Sequence, residues 1–189
     1  MTAQSLNRSA VATLSEWKAP SPEQDSLRHT YLAFLDATPE GCLRRSVPGH
    51  LTGSAIVFDA TGDHVLLTLH PRVGRWIQLG GHCEPEDQTL VDAALREAHE
   101  ESGIEDLSLC GLAQLHTHPI TCSLGVPTRH LDVRFVVVAP VSPSGSLPPI
   151  HISSESTDLR WWPVTALPAD TEGTDIVDLV QLGRRQLPR

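Results

Sequence analysis

Three carboxylates in the middle of the chain are spaced for chemistry. Glu97, Glu100 and Glu101 stand at i, i+3 and i+4, so in a helix all three share one face. Like charges at that spacing destabilise an isolated helix, and a cluster of anionic oxygens is what hard cations such as Mg²⁺ or Mn²⁺ require. A solvated acidic face is the alternative reading of the same spacing. The second unusual feature is a count of ten histidines. His50 stands just before the first core strand, His82 directly follows Gly81, His116 and His118 end one strand, and His130 and Asp132 start the next and point to one side at strand period two.

These groups need a scaffold, and hydrophobic period supplies its outline. Residues 1–20 are polar and mixed, with weak apolar content at Val11, Leu14 and Trp17. Ser21-Pro22-Glu23-Gln24 starts a helix, with Ser21 as cap, Pro22 at the first helical position and Gln24 in capping-box place. Leu27, Tyr31, Phe34 and Leu35 then form one apolar stripe. Residues 1–45 read as a helical extension too short for its own core, and residues 46–189 as the main domain. Strands are expected at 54–58 and 64–69, joined by the Gly- and Asp-rich turn 59–63, then at 107–116, 131–139 and 159–162. Trp76 to Leu79 is a short apolar segment broken by Gly80-Gly81. Residues 90–102 have a helical pattern capped by Gly103, and 176–187 form a last helix. Strands interrupted by one central helix describe an α/β (α+β) sandwich with a mixed sheet, not a doubly wound parallel fold.

The stretch GGHCEPEDQTLVDAALREAHEESGI, residues 80–104, resembles the Nudix box. That signature runs Gly, five residues, Glu, seven residues, then Arg-Glu-apolar-any-Glu-Glu-any-Gly-apolar. Its second half is matched throughout by Arg96, Glu97, Ala98, His99, Glu100, Glu101, Ser102, Gly103 and Ile104. Counting from Gly81, Asp87 takes the place of the first Glu, and one residue is inserted between Asp87 and Arg96. The resemblance implies a Nudix α/β/α sandwich and a metal-dependent pyrophosphohydrolase acting on a diphosphate linked to a nucleoside or another moiety. It implies metal on Glu97, Glu100, Glu101 and the Gly81 carbonyl, with Arg96 orienting a box carboxylate. The base is a box carboxylate such as Glu100 or Glu101, or an acid on a later loop, for which Glu155 is the candidate. Homodimers are common in that family.

A weaker likeness links His50 and His82 to the metal site of isopentenyl diphosphate isomerase, also a Nudix-fold enzyme. It implies a second metal site from His50, His82, His130 and Asp132, completed by His118, whose N and O ligands suit Zn²⁺, Mn²⁺ or Fe²⁺; a histidine-lined pocket for an anionic substrate is the other reading. Gly80 stands where the isomerase has its catalytic Cys, which argues against isomerase activity. A noncatalytic ligand sensor is the rival reading, and three adjacent acids argue against it.

Other residues stay open. Arg72 and Arg75 either contact substrate phosphate or are solvated; Trp76, Trp161 and Trp162 either stack on a base or pack the sheet. The net charge of −9 over 189 residues disfavours a nucleic-acid polymer or an anionic membrane as partner, and no apolar run approaches the roughly 20 residues of a membrane helix. Cys42, Cys83, Cys110 and Cys122 form no CxxC pair and read as reduced thiols of a cytoplasmic protein.

Overall fold

The computed structural model describes residues 3–121, 125–142, 145–154, 156–171 and 175–188. Two helices lead the chain, α1 (Ala3–Glu16) and α2 (Pro22–Ala37). Strands β1 (His50–Phe58), β2 (His64–Leu69), β3 (Trp76–Ile77) and β4 (Leu79–His82) follow. Helix α3 (Leu90–Ser102) precedes β5 (Ser108–Thr121), β6 (Pro127–Val138) and β7 (Asp158–Pro163), and α4 (Asp175–Arg184) closes the order. The sheet is mixed. Its main path is β3-β2-β1-β6-β5, with β4 also on β1 and β7 also on β2. β1 and β6 run parallel through nine register pairs from His50–His130 to Phe58–Val138, whereas β1–β2, β1–β4 and β5–β6 are antiparallel.

Alternation along β1 sorts the two faces. Leu51, Ala55 and Val57 turn to the side of α1, α2 and α3. Ile56 and Phe58 turn to α4, where they meet Ile176, Leu179 and Val180. The result is a helix–sheet–helix sandwich. Trp76 and Trp162 belong to the α4-side core, their rings 5.2 Å apart and edge-to-face. Trp161 packs on the other side and donates from Nε1 to the Pro148 carbonyl at 3.0 Å. The tryptophans pack the sheet.

Local chemistry explains the helices that matter here. Ser21 accepts the Gln24 amide and caps α2, as its sequence demands. Thr89 and Asp92 form a reciprocal capping box at the start of α3, and Gly103 ends it at φ 69°. The polar N-terminus is more ordered than its composition suggests. Leu6, Ala10 and Leu14 recur at i, i+4 and i+8 and are fully buried beside Tyr31 and Leu35. Trp17 donates to the Leu112 carbonyl at 2.9 Å, and Gln24 bonds both the N–H and the carbonyl of Leu115. The stripe is hard to see because one of its three members is an alanine. No helix of the described residues is long and apolar enough to cross a membrane.

Leu14→Ala is expected to lower unfolding free energy by about 2–5 kcal/mol, the usual cost of a large-to-small change at a fully buried site. Denaturant unfolding checks it, and a loss below about 0.5 kcal/mol, typical of surface sites, would show that α1 is not integral to the core.

Candidate active site

The site begins where β4 lies against α3. Gly81 faces the helix so closely that a Cβ there would stand 2.6 Å from Cδ and both carboxylate oxygens of Glu97. Only glycine brings backbone this near to a carboxylate. Gly80, at φ 145°, donates its amide to Glu101 Oε2 at 2.9 Å. Glu97 and Glu101 are therefore buried in the seam, while Glu100 on the same helix face has a side chain 56% exposed. Of the sequence-predicted carboxylates, Glu97 lies against Gly81 and Glu101 on the Gly80 amide, and Glu100 joins Glu97 through Arg96. A hard cation fits this set: oxygen donors only, and a backbone approach that a side chain would block.

Arg96 organises the seam. It donates to both oxygens of Asp87 at 3.1 Å, to Glu97 Oε1 at 3.1 Å, to Glu100 Oε2 at 3.1 Å and to the His82 carbonyl at 2.8 Å. These bonds hold three carboxylates and the end of β4 around one guanidinium. Asp87, which replaces the longer Glu of the Nudix pattern, is buried and also accepts the Glu84 amide at 2.7 Å. Helix α3 begins behind its Thr89 cap and runs unbroken through Arg96, Glu97, Glu100 and Glu101.

On the opposite face of the same strands, histidines gather. His50 pairs with His130 across β1–β6, His118 with His130 across β5–β6, and His82 with Thr52 across β4–β1. The rings of His50, His82 and His130 make a near-equilateral triangle with centroids 4.9–5.1 Å apart. Their ligand atoms all lie within 4.8 Å of one another. His118 flanks the triangle, 5.2 Å from His130 and 5.6 Å from His116.

Asp132 does not join them, which corrects its assignment to the histidine set. Its buried carboxylate accepts from Thr52 Oγ1 at 2.9 Å, Ser54 Oγ at 2.6 Å, Gln78 Nε2 at 3.2 Å and Arg134 Nε at 2.8 Å. Arg134, two residues along the same strand face, captures it. Arg134 also donates to Gln114 and to Asp175 at the start of α4. Burial opposes the charge on Asp132, but Arg134 and the two hydroxyls outweigh it and hold the carboxyl below its usual value. Sequence reasoning missed Gln78, Gln114, Arg134 and Asp175; an arginine inside the run Leu131 to Val138 was the available signal. Arg72 and Arg75 are exposed on the loop before β3. Arg72 and the unforeseen Arg44 lie within electrostatic reach of His82. Glu155 lies outside the described residues. Cys42, Cys83 and Cys110 are free thiols, and burial pushes Cys42 up to about 12 and raises Cys83 and Cys110, so none is an activated nucleophile.

A curled mixed sheet, a helix carrying three acids and a glycine strand seated on it define a Nudix domain. The chain belongs to the Nudix family: the NUDIX domain model matches residues 49–181. It is 34% identical over 132 residues to the human 8-oxo-dGDP phosphatase NUDT18, covering 67% of this chain and 36% of that protein. It is 33% identical over 96 residues to the Bos taurus m7GpppN-mRNA hydrolase NUDT17, covering 46% of this chain and 32% of that protein. The chain thus spans about a third of the length of these curated relatives. Its fold is similar to that of the E. coli dihydroneopterin triphosphate pyrophosphohydrolase, with a TM-score of 0.53 at 20% identity over 69% of this chain and 92% of that one.

Burial, then the neighbouring imidazoles and Arg44, push His82 down to about 3 and His130 down to about 4; His50 is lowered as well, chiefly by burial. With metal removed, these rings stay neutral in the fold, whereas the unfolded chain protonates them near the usual ~6.5. Their contribution to stability is present above about pH 6.5 and is lost as pH falls towards about 4. Unfolding in chelator is expected to show lower stability at about pH 5 than at about pH 7.5, with a smaller difference in His82→Gln. An unchanged difference in that variant would contradict the assignment.

Proposed function

We propose that this chain is a metal-dependent hydrolase that cleaves a diphosphate bond in a small phosphorylated substrate. The observation that carries the reading is the seam itself: Glu97, Glu100 and Glu101 on one face of α3, with Gly81 held against Glu97. Glu97, Glu100, Glu101 and the Gly81 carbonyl are the groups that would hold Mg²⁺ or Mn²⁺. When bound there, the cation neutralises diphosphate oxygens and lowers the pKa of water.

The chain's own residues then divide the work. Glu97 and Glu101 are fixed by burial and by the Gly80 amide, so the donor set needs little reorganisation. Glu100 faces solvent and takes the proton of the attacking water on its carboxylate. The water oxygen bonds to phosphorus, the bridging P–O bond breaks, and a phosphorylated product leaves. Arg96 keeps Glu97 and Glu100 aligned through one guanidinium nitrogen. Arg44 and Arg72, within electrostatic reach of His82, supply the positive field an anionic substrate needs in a chain of net charge −9.

The similarity to an 8-oxo-dGDP phosphatase makes nucleoside diphosphates, oxidised purines included, the substrate class to try first. Capped RNA fragments belong in the panel because the second relative is an mRNA cap hydrolase. Phosphate release is measured with Mg²⁺ or Mn²⁺ for the wild type and Glu100→Gln. Turnover of a small diphosphate by the wild type is expected, with kcat reduced about 10²–10⁴-fold in the variant, the usual contribution of a positioned general base. Full activity in Glu100→Gln would remove that residue from catalysis. Silence of the wild type with both metals would count against the hydrolase and favour a ligand sensor.

A further inference from the structure

The histidine triangle is built in a way that sheet geometry does not require. Neighbouring strands lie about 4.8 Å apart, so side chains two strands apart stand roughly 9.6 Å or more apart if they rise straight from the sheet. His82 on β4 and His130 on β6 are separated by β1, yet their ring centroids are 5.0 Å apart. The three rings lean to a common point. Convergence of buried imidazoles is unfavourable on its own, because each added polar ring loses water.

The hydrogen-bonding pattern shows what the point lacks. Nδ1 of His50 is 3.4 Å from the Ser46 carbonyl, an arrangement that puts the proton on Nδ1 and leaves the Nε2 lone pair for another partner. Nε2 of His50 and Nε2 of His130 are both buried, and neither has a hydrogen-bond partner. His50 is 1% exposed, His130 9%, and His82 is half-buried. The nearest carboxylate, Asp132, is consumed by Thr52, Ser54, Gln78 and Arg134. His50 and His130 therefore each turn a buried, unpartnered ring nitrogen into the triangle.

We propose that His50, His82 and His130 form a tri-histidine site for a divalent transition metal, Zn²⁺ foremost, separate from the carboxylate site on α3. Neutral imidazole nitrogen is a preferred donor for such ions and a poor one for Mg²⁺. Tetrahedral coordination at about 2.1 Å brings ligand nitrogens to roughly 3.4 Å. From a spread of at most 4.8 Å, small rotations of the three side chains achieve that. Three protein ligands leave a fourth position open to water or to a ligand oxygen. The carbonyl of Ser46 is the outer partner that fixes the tautomer of His50. Because His82 follows Gly81 directly, the two metal sites sit on opposite faces of β4, one residue apart. The bound ion places a double positive charge on the face where Arg44 and Arg72 already act, so anionic ligands are drawn to that mouth.

The test is binding, independent of any turnover. The untagged full chain, His82→Ala and Glu100→Gln are stripped with chelator and loaded with Co²⁺, and bound metal and visible absorption are recorded. The wild type and Glu100→Gln are expected to show the intense bands of a nitrogen-ligated four- or five-coordinate ion, bleached by Zn²⁺. His82→Ala should lose those bands and bind at least about tenfold more weakly, in keeping with loss of a direct ligand. Far-UV circular dichroism establishes that it folds, and if it does not, the wild-type spectrum decides alone. Only the pale spectrum of six-coordinate oxygen ligation in the wild type, or equal bands in folded His82→Ala, overturns the proposal. Loss of the bands in Glu100→Gln as well would overturn the separation of the two sites.

Discussion

The contact between β4 and α3 is the constraint on which both halves of the site depend. Gly81 lies against the Glu97 carboxylate, where a Cβ would approach within 2.6 Å, and the Gly80 amide binds Glu101. Those two approaches pull β4 onto the helix while its other edge stays laddered to β1 through Thr52–His82 and Ser54–Gly80. A strand held from both sides has no freedom of register. Its inward residue meets the acids of α3, and its outward residue, His82, is delivered to His50 and His130. Arg96 closes the arrangement by spanning Asp87, Glu97, Glu100 and the His82 carbonyl.

The rest of the molecule supports that contact. The parallel pairing of β1 and β6 sets His50 beside His130 and Thr52 beside Asp132. Arg134 and Asp132, buried together, cost desolvation, and their partners Gln114, Asp175, Thr52 and Ser54 offset it. This network ties β6 to the start of α4, and the Tyr31 hydroxyl of α2 donates to the His116 carbonyl of β5 at 2.7 Å. Helices α1 and α2 cover the sheet on the side of α3, so the N-terminal helices and the box helix share one core.

Much of this was legible in the sequence, for physical reasons. The helix over 90–102 and its Gly103 cap follow from apolar spacing and a residue able to take positive φ. Strand β2 follows from an apolar run bounded by turn residues. The carboxylate trio is a local pattern, fixed by helical period once the helix is known. Long-range electrostatics were not legible. Asp132 looked like a metal ligand because parity puts it beside His130, but nothing in one strand announces that Thr52, Ser54 and Gln78 converge on it from β1 and the segment between β3 and β4. Helix α1 was obscured by an alanine within its stripe, and β5 and β6 extend further than their apolar stretches because their ends pair polar residues with each other.

The central claim is that the α3 acids and Gly81 hold a divalent cation. Anomalous scattering from crystals of the chain equilibrated with Mn²⁺ tests it most directly. The account predicts a peak bounded by the carboxylates of Glu97, Glu100 and Glu101 and the Gly81 carbonyl, lost in Glu97→Gln. A map at saturating Mn²⁺ with no peak at that seam would contradict it.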